Sequence, residues 1–454
     1  MNFIVACQSM KNMISITLFF SLLALLTGCG GGNSASSASS SHSDTTTSTS
    51  TNTGGGETSD VDVDIRFPYP QHVTYQQASA VTAFTQAEMD THVSEFYDIW
   101  KRDYLVEVGI DNSGGSLYRV AFGRQGSSDR DVTVSEGQGY GMLITVMMAG
   151  YNPQARDQFD GLWRFSKFHR SEIDNALMAW RVSNQPQKDD NNSAFDGDAD
   201  IAYALLLAHR QWGSKGDINY LEQAGTLIRA ISSSTIGIDS HLPLLGDWHN
   251  NTTGSYDDFS NRTSDFMLAN FRAYYAETQD PVWMSVIQAS QDTLLNLQSE
   301  YGASTGLVSD FVERSPTTTT HAPAQPYFLE GPYDGAYSYN ACRVPWRIGL
   351  DALLSGNEKS VRIVKKLSEW MADSTGGNPY AINAGYYLDG NSIGGSYFST
   401  VFVAPLGVAA MTVPGQTDWL NAIYSAIYNV HQGYYEDSVN LLSMLVMSRN
   451  FWGY

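Results

Sequence analysis

Glu136 stands among three glycines in Val134-Ser135-Glu136-Gly137-Gln138-Gly139-Tyr140-Gly141-Met142, just ahead of an apolar run at 142–149 that reads as a buried helix. A carboxylate in a first helical turn can simply complement the macrodipole and the free backbone N–H groups. The glycines ask for more. Gly is costly at a helix edge unless something approaches the backbone closely, so the spacing predicts an open, side-chain-free surface beside Glu136. A nucleotide loop does not fit: the pattern is G-x-G-x-G, no Gly-Lys-Ser/Thr follows, and an adjacent carboxylate would repel phosphate.

A second acidic stretch, Ala194-Phe195-Asp196-Gly197-Asp198-Ala199-Asp200-Ile201, alternates three aspartates. An EF-hand is excluded, since Ile201 stands where the loop needs Gly and Leu207 where it needs a bidentate Glu. Asp198 and Asp200 read as first-turn decoration. Asp196, on an Asp-Gly turn entering a helix, would project from the same rim as Glu136. A third stretch, from Tyr327 to Arg347, carries Glu330 and Asp334 with Tyr333, Tyr337 and Tyr339 before Asn340-Ala341-Cys342-Arg343-Val344-Pro345-Trp346-Arg347. Carboxylates among tyrosines and tryptophans suit sugar rings, whose apolar faces stack on aromatics while their hydroxyls take hydrogen bonds. Trp346 and Phe328 read instead as core.

These motifs need elements to hold them. Helical periodicity places segments near 86–105, 137–151, 154–169, 198–213, 217–233, 263–278, 281–299, 341–355, 357–373, 403–413, 417–430 and 436–452. Those at 142–149 and 201–208 are apolar nearly all round, whereas 357–373 has a charged face of Glu358, Lys359, Arg362, Lys365 and Lys366. Alternating inner and outer helices imply six helical hairpins closed into an all-α (α/α)6 barrel; an open solenoid would show a sequence repeat, and none is visible. Long polar and aromatic connections at 181–195, 237–262, 301–339 and 376–399 point to function.

The 454 residues, 42% hydrophobic and 12% aromatic, suffice for a large core. At the N-terminus, Lys11, the apolar run 13–26 and Leu26-Thr27-Gly28-Cys29 resemble a bacterial lipoprotein signal, predicting residues 1–28 as signal peptide and a lipidated Cys29. Residues 29–65, nearly all Ser, Thr, Gly and Asn at first, read as a flexible tether, and 66–454 as the catalytic domain. Export to the cell envelope, or secretion, is expected, with membrane contact only through Cys29. Cys342 then has no disulfide partner. A formal charge of −21 argues against nucleic acid; a neutral polysaccharide would be indifferent to it and polycationic chitosan attracted. The nine histidines form no H-E-x-x-H or Cys/His cluster, so neither a catalytic metal nor a cofactor is expected.

Together the three motifs resemble glycoside hydrolase family 8, over roughly residues 80–450. The resemblance implies an (α/α)6 barrel and an inverting endo-glycanase acting on cellulose, mixed-linked glucan, xylan or chitosan; a monomer is expected. It implies Glu136 as general acid and Asp196 as the carboxylate holding the distorted sugar. Two departures stand out. Phe195 replaces the usual Ser or Thr, and Asn340 replaces the Asp that serves many members as base. An amide cannot take a proton from water, so the branch with Asn there, resembling chitosanases and lichenases, implies a loop Glu as base: Glu330, with Asp334 the fallback. Trp180, Trp248, Tyr203, Asp265, Tyr339, Asn340, Arg343 and Tyr387 are the substrate-binding residues the resemblance implies. Competing classes are a polysaccharide lyase, which would want a basic cleft, and a non-catalytic carbohydrate-binding lipoprotein; a xylan-active member of the family is the nearest enzymatic alternative.

Overall fold

The computed structural model describes residues 65–454 apart from 77, 186, 188, 250–255 and 316–319. The signal and most of the tether lie outside the described residues. Twelve α-helices form the framework of the described chain: α1 (Gln86–Tyr104), α2 (Ser135–Met147), α3 (Ala155–Phe168), α4 (Phe195–Trp212), α5 (Tyr220–Ser234), α6 (Leu268–Thr278), α7 (Val282–Glu300), α8 (Val344–Ser355), α9 (Glu358–Ser374), α10 (Thr400–Met411), α11 (Thr417–Ile427) and α12 (Tyr434–Met447). The starts of α2 and α4 fall two or three residues before the predicted ones, because buried Ser135 and Phe195 already belong to the helices. The predicted helix at 263–278 begins instead as a 3-10 turn, Thr263–Asp265, which leaves its polar side chains facing the site.

The even-numbered helices close a ring: α2 packs on α4, α4 on α6, α6 on α8, α8 on α10, α10 on α12, and α12 back on α2. Each odd-numbered helix lies outside an even one, α3 on α2, α5 on α4 and so on to α1 on α12. This is the (α/α)6 barrel. Sequence explains the layering. Every residue of α10 is buried, whereas α9 buries only the stripe Ser360, Ile363, Val364, Leu367, Ser368 and Met371. Caps fix the outer ring; Thr85 and Glu88 form a capping box before α1, and Asn357 accepts from the backbone of Lys359 and Ser360 at α9.

The ring is sealed at the C-terminal end of α4. The Arg210 guanidinium lies over the rings of Phe67, Trp452 and Tyr454, and Phe67 stacks on Trp452 at 4.4 Å. Among the described residues no helix is long and apolar enough to cross a membrane.

Seven short strands trim the opposite end. β1 (Leu105–Ile110) and β2 (Ser116–Val120) form a hairpin, β3 (Thr133–Val134) pairs with β4 (Arg181–Val182), and β5 (Asn261–Arg262), β6 (Phe311–Arg314) and β7 (His321–Pro323) make a three-stranded antiparallel sheet in that order. They fix connections to the barrel rim. The β3–β4 pair brings the Trp180 carbonyl to the Ser135 N–H at 2.9 Å, and the β5–β6 pair sets Arg262 opposite Phe311.

The glycines around Glu136 are not the open surface their spacing predicted. A Cβ on Gly137 would meet the Tyr434 ring at 2.9 Å, and one on Gly139 the Asp200 side chain at 2.7 Å. They let α2 approach α12 and α4 closely, so the free space beside Glu136 lies elsewhere.

Candidate active site

The N-termini of α2, α4, α8 and α12 converge at the trimmed rim, and the turn into α8 supplies the hub of the site. Arg343, 2% exposed, donates from Nη1 to Glu136 Oε2 at 2.7 Å, Asp196 Oδ2 at 2.9 Å and the Tyr140 hydroxyl at 3.1 Å. From Nη2 it donates to Ser264 Oγ at 2.9 Å and Asn340 Oδ1 at 3.0 Å. The Asn340 amide then donates to Glu330 Oε2 at 2.9 Å, and Glu330 Oε1 accepts from Arg262 Nη2 at 3.1 Å. Glu136 and Glu330 are thus joined, and held apart, by one guanidinium and one amide. A carboxylate has about four lone-pair directions, so neither group is saturated. The second Glu136 oxygen accepts from the Tyr434 hydroxyl at 2.7 Å.

Two carboxylates organise the loops rather than entering the cluster. Asp334, 3% exposed, accepts from the backbone N–H groups of Leu329, Glu330 and Gly331 at 2.7–2.9 Å, closing a tight turn that presents Glu330. Asp310 does the same for the turn into α8, accepting from Ser338, Asn340 and Ala341.

The cluster sets four carboxyl groups, Glu136, Asp196, Asp265 and Glu330, against two guanidiniums, Arg343 and Arg262. Positive charge falls short of ionising all four in so dry a place. Burial pushes Glu136 above the usual carboxyl range, and Asp196 adds to the rise while Arg343 and the Tyr434 hydroxyl oppose it. Burial also pushes Asp265 up to about 7, with Arg262, 3.5 Å away, pulling the other way. For Asp196 burial is the largest influence, but Arg343 and Arg262 outweigh it and hold the carboxyl below its ordinary value. The site therefore sets one carboxyl raised above its usual range, Glu136, and one held below it, Asp196, beside the same nitrogen. The macrodipole of α2, which favours an anion at Glu136, is overcome by desolvation and by Asp196.

Of the residues implied by the resemblance, Glu136, Asp196, Glu330, Asp265, Asn340 and Arg343 come together. Trp248 sits one layer out, edge-on to Tyr256 in a small cluster with Phe311, Phe328 and Leu329, next to the Glu330 turn. Phe328 belongs to this cluster and Trp346 to the main core, as expected. Trp180, half-buried, follows from the β3–β4 contact beside Ser135. Tyr339 shares a short hydroxyl contact with Tyr397, and Tyr387, 50% exposed, meets Tyr333 edge-on on the rim. Tyr203 does not join them. It is 1% exposed and lines, with Arg272, Asp351 and Tyr454, a separate cavity of about 430 Å³. Nor do Asp198 and Asp200 decorate a surface: both are buried, and Asp200 accepts both Arg347 nitrogens at 2.8 and 2.5 Å.

The sequence did not single out Arg262, Ser264, Asp310 or Tyr434. Arg262 closes the long connection at 237–262 and Ser264 lies in a segment that reads as helix, while Asp310 lies in a long connection without a motif. Tyr434 announces itself only as part of Gly433-Tyr434-Tyr435-Glu436-Asp437 at a helix start.

The sequence profile described as "Glycosyl hydrolases family 8" matches residues 65–449. The chain belongs to glycosyl hydrolase family 8. As a family 8 protein it is a glycosidase, and its barrel is shared by solved relatives. A β-1,3-1,4-glucanase from Paenibacillus sp. X4 superposes with a TM-score of 0.79 at 41% identity, covering 86% of this chain and 99% of that one. A cold-adapted family 8 xylanase shares the fold, with a TM-score of 0.67 at 21% identity over 84% of this chain and 95% of its own. Among curated family 8 relatives, a β-glucanase from Niallia circulans is 42% identical over 85% of this chain and 91% of its own length. An endoglucanase from Bacillus sp. strain KSM-330 is 38% identical over 85% of this chain and 81% of its own.

Proposed function

We propose that this family 8 member is an inverting endo-β-glucanase in which Glu136 is the general acid, Glu330 the general base and Asp196 the anion beside the developing oxocarbenium centre. The observation that carries the reading is the hydrogen-bonded chain Glu136, Arg343, Asn340, Glu330, which fixes two carboxyls on either side of a guanidinium and an amide. Inverting hydrolysis needs such a pair roughly 6.5–9.5 Å apart, with room for a water. Glu136 gives its proton to the glycosidic oxygen as the C1–O bond breaks. Water attacks C1 from the opposite face while Glu330 takes its proton, and the β-linkage becomes an α-hemiacetal. Asp196, ionised and held by Arg343, favours the positive charge at the anomeric carbon.

The choice of β-glucan rests on the names of the relatives at 38–42% identity and of the solved β-1,3-1,4-glucanase. Reducing-end release from lichenan, cellulose, chitosan and xylan, with the anomer read by NMR, tests it. Lichenan or cellulose cleaved to an α-product is the expected result; chitosan or xylan as the preferred polymer, or a β-product, would overturn it.

Trp180 and Trp248 are proposed to stack sugar rings on either side of the cleavage point. Alanine at either should weaken oligosaccharide binding by about 1–3 kcal/mol, the worth of burying a large side chain; calorimetry showing unchanged affinity at both would return them to the core. The signal, the lipidated Cys29 and the tether are likewise part of the proposal, as is a monomer in the bacterial cell envelope. Cys29→Ser should release active enzyme from the membrane fraction, and membrane retention of that variant would remove the anchor.

A further inference from the structure

Outside the catalytic cluster, a cavity of about 160 Å³ opens on the flank of the barrel between α3 and α5. Its floor is Asp198 on α4, its walls include Trp163, Asn175 and Gln223, and Lys167 and Arg170 line it from the end of α3 and the turn beyond. Asp198 is 1% exposed, and one of its oxygens is accounted for, accepting from the Met178 N–H at 2.8 Å. The other, Oδ2, is buried with no hydrogen-bond partner among the described residues. A buried polar atom costs free energy unless something satisfies it. Burial, with Asp247, Asp196 and Asp174 nearby, pushes this carboxyl well above the usual range.

Charge decides what the cavity could take. An anion would face Asp198 with three more carboxyl groups behind it, and a cation would have to pass Lys167 and Arg170. A neutral ligand with both donors and acceptors meets no such barrier. Asn175 and Gln223 offer amides of both kinds, and Lys167 Nζ already reaches Gln223 Oε1 at 3.1 Å while lying 5.7 Å over the Trp163 ring. The volume admits a single ring, well below the size of an ordinary ligand pocket. The floor also lies close behind the catalytic cleft, since Asp198 is two residues from Asp196 and Met178 two from Trp180.

We propose that this cavity is a second carbohydrate site, taking one sugar unit of a neutral polysaccharide while the cleft acts on another part of the chain. The proposal rests on the reading of the substrate as a neutral glucan. Its test is equilibrium binding of cellotetraose to the Glu136→Gln protein, by calorimetry and saturation-transfer NMR. Two sites are expected, and the Asn175→Ala/Gln223→Ala double variant should lose one of them by about tenfold or more, the worth of one or two hydrogen bonds. In an otherwise native chain the same pair should leave hydrolysis of cellotetraose unchanged and reduce the rate on insoluble glucan. One site only, or two sites indifferent to both substitutions, overturns the cavity assignment. Failure to hydrolyse any β-glucan, with the cavity still binding, would overturn the glucanase reading alone.

Discussion

Glu136→Gln should hydrolyse β-glucan about 10²–10⁴-fold more slowly than the native enzyme, the usual contribution of a positioned general acid, while folding and binding oligosaccharide normally. The amide is isosteric with the acid. Its oxygen can still accept from Arg343 Nη1, and its nitrogen can donate to Tyr434, whose hydroxyl is able to reverse its role. Only proton donation is removed. The pH profile carries the same logic: the native rate should fall as pH rises through the Glu136 pKa, because the ionised form has no proton to give, and burial places that fall above the usual carboxyl range. Tyr434→Phe removes a hydrogen bond that favours the anion, so it should move the alkaline limb to still higher pH. A Glu136→Gln enzyme with near-native turnover, or a Tyr434→Phe limb displaced downward, would remove Glu136 from the acid role.

Glu330→Ala should lose a comparable factor and, unlike any other loop variant, regain turnover with azide. Removing the base opens the face opposite the leaving group, and a small anion entering there yields the α-glycosyl azide from a β-linked substrate. Asp334→Ala should also be slow, but without azide rescue. Its carboxylate is already committed to three backbone N–H groups, and its loss unties the turn beneath Glu330 without making a hole at the anomeric carbon. Asn340→Asp should lower activity as well. The Asn340 nitrogen lies 2.9 Å from Glu330 Oε2, and an oxygen in its place would set two carboxylates against each other. Glycosyl azide formed only by Asp334→Ala would transfer the base role to Asp334.

Much of this was legible in the chain because the barrel repeats one physical rule. A helix apolar all round must lie inside and one with a charged face outside, and 142–149 against 357–373 displayed that contrast without any contact being known. The rim motifs were legible for a similar reason: each sits at a helix N-terminus, where local sequence sets the backbone and so the direction of Glu136 and Asp196. What resisted were partners defined only by closure of the ring. Tyr434 meets Glu136 across 298 residues and Arg343 meets it across 207. The glycines were misread for the same cause, since a glycine serving a ligand and one serving a neighbouring helix look alike until the neighbour is known. Tyr203 followed the helix of Asp196 by two turns and so left the rim for the barrel interior.

The aromatic clamp around Arg210 bears on how the chain can be reconnected. Arg210 lies fourteen residues beyond Asp196 on one helix, about 20 Å along its axis, and it gathers Phe67 and Trp452 from the two extremities of the barrel sequence. The clamp therefore sits at the opposite end of α4 from Asp196, and the contacts that hold Phe67 and Trp452 do not touch the catalytic cluster. The 4.4 Å stacking of Phe67 on Trp452 brings the two extremities of the barrel sequence side by side, so a short peptide should be able to join them into an endless chain.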